Sequence, residues 1–357
     1  MNPLIQTNRY FSALFADAEV SGAFDTARTF DHFLAFEIAL TQGLAESGAV
    51  EADKAQGAID KMRGFRPDLE AIEAACPVDG LAVPEFVRQL KAHVGADLLQ
   101  AVHIGGTSQD LIDTATVLTL KEVNAVLAAR LDELVTGLER LIDEHGENTM
   151  MGRTRMQAAL PIPVSHRLQS WIAPLRRHQE RLSRLRPELE VLQFGGATGD
   201  RSANGAHAPR IGAVMSDQLG LSDPGQAWHN DRDRFADYAG WLSLVSGSLG
   251  KIGQDICLMS QQGIDELSQS GGGSSSAMAH KQNPIKAELL ITLARYNAGQ
   301  VAVMHNAMVH EQERSGVAWT LEWMVLPVMV CATGKALLTA QQQLEDITGI
   351  GTPARTG

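Results

Sequence analysis

The chain has 357 residues and a net charge of −12, with an isoelectric point near 5.4. That balance excludes nucleic acid and an anionic membrane surface as main partners, because both are bound through excess lysine and arginine. Cys76, Cys257 and Cys331 are odd in number and far apart, which gives neither a disulfide framework nor paired metal-ligand spacing and points to a reducing compartment. The N-terminal Met1-Asn2-Pro3-Leu4-Ile5-Gln6 has no basic segment followed by an apolar run, and no stretch of ~20 residues is free of charge. The expectation is a cytoplasmic protein with no membrane partner, and any small anionic substrate needs a local basic pocket.

In chain order, Phe30, Phe33, Leu34, Ile38 and Leu44 recur at helical steps and predict a helix over 29–48 that stops at Gly48. Shorter helices are predicted over 52–62 and 84–94, with a break at Cys76-Pro77-Val78-Asp79-Gly80 between them. After the turn His103-Ile104-Gly105-Gly106, Thr107 and Asp110 have capping-box spacing ahead of a helical pattern that reaches about residue 144 without proline. Its apolar stripe runs through Val117, Leu127, Leu131, Leu134, Leu138 and Leu141, and that length belongs to a helix bundle. A polar turn at 152–161 leads through Pro163 into a second long helix, which Pro174 and Pro187 should kink or interrupt. Further helices are predicted over 210–219, 235–267, 285–314 and 317–347, the last bent at Pro327. No period-two strand pattern is evident. The fold class is therefore all-α, with an N-terminal helical domain at 1–102, a central bundle at 103–347 and a tail at 348–357.

The stretch Gly271-Gly272-Gly273-Ser274-Ser275-Ser276-Ala277-Met278-Ala279-His280-Lys281-Gln282-Asn283-Pro284 combines permissive backbone with a hydroxyl cluster, a cation and an amide, which suits an anion-binding loop. A solvated Gly/Ser linker is the plain alternative. A phosphate loop is excluded, because Lys281 is followed by glutamine rather than Ser or Thr.

The segment from Ser274 to Pro284 resembles the Gly-Ser-Ser-x-Met-Pro-x-Lys-x-Asn-Pro signature of the fumarase/aspartase superfamily, with Ser274 in place of glycine and Ala279 in place of proline. Gly106-Thr107-Ser108-Gln109-Asp110 is similar to that family's Thr-Ser-x-Asp segment, and Gly152-Arg153-Thr154-Arg155-Met156-Gln157 to its Gly-Arg-Thr-His-x-Gln. The resemblance implies a central bundle of long helices with a smaller N-terminal domain, a C-terminal domain that is short or absent, and homotetramers whose sites are shared between chains. It assigns the catalytic proton to Ser275, within one residue of register, and substrate binding to Thr107, Ser108, Gln109, Thr154, Gln157, Lys281 and Asn283. A helix start favours an anion through its free N–H groups, although Thr107 also reads as a plain N-cap.

Arg155 stands where most members carry histidine, and a guanidinium cannot serve as a general base near neutral pH. The branch that lacks the histidine comprises the bacterial 3-carboxy-cis,cis-muconate cycloisomerases. Leu192-Gln193-Phe194-Gly195-Gly196-Ala197, Trp228-His229-Asn230-Asp231-Arg232-Asp233-Arg234, the Gly247–Gly253 run, and Glu313-Arg314-Ser315 with Glu322-Trp323 look like that branch, whose usual members hold tryptophan at the position of Arg155. The implied reaction lactonises 3-carboxymuconate, or an analogue such as 3-sulfomuconate, in protocatechuate-type aromatic catabolism. It needs no metal or redox cofactor. A fumarate-releasing lyase of the same superfamily and a noncatalytic helical scaffold are the alternatives.

Arg155 would then pair with the substituent at carbon 3. His103 and His280 are either substrate contacts or satisfied structural histidines. Arg232 and Arg314 either bind anion or form salt bridges within the bundle. His310-Glu311 begins like a zinc helix, but the second histidine is absent, so a metal site is rejected.

Overall fold

The computed structural model describes residues 9–274, 278 and 282–352. Two short helices, α1 (Arg9–Leu14) and α2 (Ala18–Gly22), lead into α3 (Thr26–Glu46), α4 (Ala52–Arg63), α5 (Leu69–Asp79) and α6 (Val83–Val94). The long helices follow: α7 (Ser108–His145), α8 (Val164–Leu189), α10 (Asp233–Met259), α11 (Ile285–Asn306) and α12 (Val317–Asp346), with the shorter α9 (Ala208–Leu219) between α8 and α10.

Two apolar cores divide the chain. One gathers Phe33, Phe36, Leu40, Phe86 and Leu90 from α3 and α6 with Leu111, Phe194 and Ile211. The other fills the bundle with Leu127, Leu131, Trp171, Trp241, Leu242, Leu290 and Met329. The opening segment, grouped by sequence with the N-terminal unit, packs instead on the bundle. Val20 joins that core, and Asp17 pairs with the buried Arg130 of α7, Nη2 to Oδ1 being 3.1 Å. Helices α10 and α11 approach closely because Gly253 has no side chain: a Cβ there would lie 2.4 Å from the Ala287 carbonyl oxygen.

Several local expectations differ from the structure. α8 continues through Pro174 and Pro187, and α5 through Pro77. Burial of Trp171, Ile172, Leu175 and Leu182 on α8 outweighs the roughly 3 kcal/mol that an internal proline costs. α10 ends at Met259 and α11 at Asn306, each short of the predicted end.

The chain is mostly helical, but short antiparallel pairs gather at one end of the bundle. β1 (Thr149–Thr154) pairs with β2 (Gln157–Pro163), β3 (Leu267–Gln269) with β6 (Ile347–Ile350), and β4 (Gly273–Ser274) with β5 (Gln282–Asn283). The predicted tail therefore begins inside a strand, and Thr352 still bridges Thr149. α12 is long and apolar enough to cross a membrane, but two-thirds of its most apolar window is buried inside the protein. It is a core helix.

Buried aromatic N–H and O–H groups find partners across helices. Trp171 donates to Asp255 at 2.7 Å, Trp241 to the His178 carbonyl at 3.0 Å and Tyr238 to Asn124 at 2.6 Å. His178 itself is buried, and burial, then Arg181 and Arg177, lower its pKa from 6.5 to about 4. The unfolded chain therefore binds a proton that the folded chain resists. Stability contributed by neutral His178 is complete above pH 6.5 and is lost as pH falls toward 4, by up to about 3 kcal/mol. Denaturant unfolding of wild type and His178→Gln from pH 7.5 to 4 is expected to show a steeper loss in wild type.

Candidate active site

The capping spacing seen in the sequence builds the first half of the site. Thr107 is the N-cap of α7, and its N–H donates to Asp110 Oδ2 at 3.1 Å. Asp110 is fully buried and also accepts from Gly195 N at 3.0 Å and Gly196 N at 2.9 Å, while His229 Nε2 lies 2.7 Å from Oδ1. The chain's own carboxylate thus occupies part of the anion-binding capacity of this helix start. Ser108, half-buried at the first helical position, makes no side-chain hydrogen bond among the described residues. Gly105 allows the approach turn: its φ is +73°, and a Cβ would fall 2.1 Å from the Asn204 amide.

The two arginines left open by sequence part ways here. Arg232 is 2 % exposed. Its Nη1 donates to Asp113 at 2.6 Å, and its Nε to Glu322 at 2.9 Å. As a substrate residue Arg232 is corrected: both edges of its guanidinium are taken inside the bundle. Arg314 has the opposite surroundings. Its Nε donates to Gln109 Oε1 at 2.9 Å and Nη2 to the Ala197 carbonyl at 3.2 Å, and no carboxylate pairs with it among the described residues. A guanidinium held by neutral acceptors keeps a full uncompensated charge for an anion.

Gln109 is fully buried. It donates to the His229 carbonyl at 2.9 Å and to Asp113 at 3.2 Å, so it positions Arg314 rather than facing a ligand. His103 Nδ1 lies 2.6 Å from Glu37 Oε1. The His310 side chain is sealed, 3.6 Å from Glu322.

The second half of the site lies elsewhere. Residues 152–161, expected as a simple turn, form the β1–β2 hairpin, with Thr154 opposite Gln157. Arg155 and Met156 sit at its tip with φ +50° and +68°, the left-handed pair of a tight hairpin turn. Without Gly or Asn at these positions, the usual signal of such a turn is missing from the sequence. Thr154, Arg155 and Gln157 are all exposed.

Gly273 pairs with Asn283 and Ser274 with Gln282, closing the base of the signature loop. Asn283 is half-buried, and Pro284 takes the N-cap position of α11. A cavity of about 350 Å3 opens there, lined by Gly271, Gly273, Asn283, Lys286 and Lys335 among others. Ser275, His280 and Lys281 lie outside the described residues.

Hairpin and loop base share one end of the bundle. Met151 N donates to Glu266 at 3.0 Å, Thr149 bridges Thr352, and Ser270 N donates to the Asp346 carbonyl at 2.7 Å. The α7 start is at the other end: α7 has 38 residues, about 57 Å at 1.5 Å per residue. Even a seven-residue strand laid back along it would span only about 23 Å. One chain therefore holds Thr107, Ser108, His103 and Arg314 at one end and Thr154, Arg155, Gln157 and Asn283 at the other.

Sequence reasoning passed over Glu37 and Asp113. Glu37 carried a readable signal: it falls between Phe33, Leu40 and Leu44 on the buried stripe of α3, where an unpaired charge would be costly.

A long-helix bundle with three polar regions distributed over its two ends defines a class, and residues 14–301 match the lyase family. The chain belongs to that family, within the fumarase/aspartase superfamily. It is similar to the 3-carboxy-cis,cis-muconate cycloisomerase of Pseudomonas aeruginosa, with 36% identity over 96% of this chain and 76% of the relative. The solved 3-carboxy-cis,cis-muconate lactonizing enzyme of Pseudomonas putida superposes with a TM-score of 0.88 at 34% identity, over 96% of this chain and 77% of the other. A fumarate lyase structure from Mesorhizobium matches with a TM-score of 0.88 at 30% identity, over 94% and 76% of the two chains.

Removing Arg232 would leave two buried carboxylates without their cation, and breaking such a pair costs about 3–5 kcal/mol. Arg232→Met is expected to lose stability on that scale in denaturant unfolding. Arg314→Ala, which leaves no buried charge unpaired, is expected to lose less than about 1 kcal/mol.

Proposed function

We propose that the protein is a cycloisomerase that lactonises 3-carboxy-cis,cis-muconate or a close analogue such as 3-sulfomuconate. In this reaction one carboxylate attacks the substrate's own double bond. A C–O bond forms, electrons move onto a second carboxylate as an enediolate, and carbon then takes a proton. The enzyme must orient a flexible trianion, place donors on the enediolate and deliver one proton to the right face. The observation that carries the proposal is Arg155 at the hairpin tip, where a general-base lyase would need a histidine. A guanidinium there binds charge and accepts no proton, which suits an addition that begins with the substrate's own carboxylate. The similarity to cycloisomerases over almost the whole chain supports the same choice.

In this scheme Ser275 carries the proton, and Lys281 and Asn283 hold the enediolate. Thr107, Ser108, Arg314 and His103 receive a carboxylate at the α7 start, Gln109 acts through Arg314, and Thr154, Gln157 and Arg155 hold the remainder with the carbon-3 substituent. His280, next to Lys281 in sequence, serves as a further contact in this scheme. The protein works in the cytoplasm as a homotetramer, and its sites are shared between chains because the two groups of residues lie at opposite ends of α7, itself about 57 Å long, and meet only if chains pack end against end. The exposed Met156 and Leu160 of the hairpin supply apolar surface for that contact.

Purified protein mixed with 3-carboxymuconate is expected to bleach the conjugated-diene absorbance. Ser275→Ala should lower kcat by about 10²–10⁴, the usual span for a lost proton-transfer group; an unchanged kcat would remove Ser275 from the mechanism. Light scattering should give four times the chain mass. Mixing inactive Arg314→Ala with inactive Ser275→Ala under dissociating conditions, then reassembling, should restore about a quarter of wild-type activity if each site draws the two residues from different chains.

A further inference from the structure

Glu37 has no part in the scheme above, yet its place is unusual for a glutamate. It is fully buried on α3, its Oε1 lies 2.6 Å from His103 Nδ1, and its Oε2 has no partner among the described residues. A sealed carboxylate with one oxygen unsatisfied is tolerated when a cation balances it, and His103 is the group in reach. One turn along α3, Thr41 Oγ1 donates to the Ala101 carbonyl at 2.7 Å, anchoring the segment that leads to His103.

His103 itself has φ +60°, a left-handed conformation uncommon outside glycine. That conformation lays the ring beside the turn into α7: a Cβ on Gly106 would stand 3.6 Å from His103 Cε1. The ring's Nε2 makes no hydrogen bond among the described residues and is not among their sealed polar atoms.

We propose that Glu37 is a positioning residue that holds His103 as an outward-facing imidazolium at the start of α7, where its Nε2–H receives a carboxylate of the ligand. The identification of that ligand rests on the lactonising function; the pairing and its charge do not. Burial lowers the pKa of the imidazole, Glu37 raises it by charge and hydrogen bond, Lys91 on α6 lowers it and Asp110 on α7 raises it, and the net direction is up from 6.5. The charged form therefore persists above pH 6.5 and is lost as pH rises through the elevated value.

The test uses the full chain with Glu37→Gln, Glu37→Asp and His103→Asn, asparagine being a residue that tolerates left-handed backbone. The imidazole C2–H signal missing from His103→Asn assigns His103. It is expected to titrate above pH 6.5 in wild type and at least about one unit lower in Glu37→Gln. Citrate, used as a carboxylate probe at pH 7, should shift that signal in wild type and not in Glu37→Gln. With 3-carboxymuconate, KM of Glu37→Gln should exceed that of wild type about tenfold at pH 7.5, and the ratio should shrink as pH falls and the variant's imidazole gains its proton, with kcat within about threefold. Glu37→Asp should restore most of the difference. A His103 titration unmoved by Glu37→Gln, or a KM ratio constant with pH, overturns the proposal. If Glu37→Gln does not fold, a wild-type His103 titrating below pH 6.5 overturns it as well. Absence of turnover on 3-carboxymuconate would count against the lactonising function alone, since the titration and citrate shifts are read without catalysis.

Discussion

The length of α7 is the constraint from which the rest follows. A helix of 38 residues is about 57 Å long, and the chain places polar regions at both of its ends. The helices packed along it run back and forth between the same two ends, so no rearrangement of loops brings Thr107 to Thr154 within one chain. A rigid bundle serves as a ruler, and the chemistry is left to whatever meets at its ends.

At the α7 start the protein invests heavily in buried polar groups. Asp110, Asp113, Gln109, Gln193, His229, Arg232 and Glu322 are all nearly sealed from solvent. They are joined through Gln193 to Asp113 at 3.0 Å, Trp319 to Asp113 at 3.0 Å and the contacts of Arg232. A network like this is weak as a source of stability, since desolvation offsets most of the attraction. Its effect is geometric. It locks the 193–197 segment and Arg314 against the helix start, leaving Arg314 without a carboxylate partner among the described residues while Arg232, itself within a family-like stretch, is consumed.

The comparison of Arg232 with Arg314 shows where sequence stops. Both lie in polar stretches with acidic neighbours, and a ledger of residue types treats them alike. What separates them is that α7 and α12 bring Asp113 and Glu322 to Arg232, while among the described residues Arg314 meets an amide and carbonyls. In the same way the β1–β2 hairpin was hidden, because Arg155 and Met156 are poor turn formers whose conformation is imposed by the pairing of Thr149–Thr154 with Gln157–Pro163. Pro174 and Pro187 misled for a related reason: packing of α8 overrides a local penalty.

By itself the sequence determined the long helices, their order and the polar regions between them, because a 3.6-residue apolar period and a capping pair are local properties. It also identified the signature loop by residue type. Only the tertiary structure decided which end of the bundle each region occupies, which arginine keeps its charge and that Glu37 lies under His103. Those outcomes depend on contacts between residues tens to hundreds of positions apart, and no local pattern encodes which of several similar side chains will find a partner.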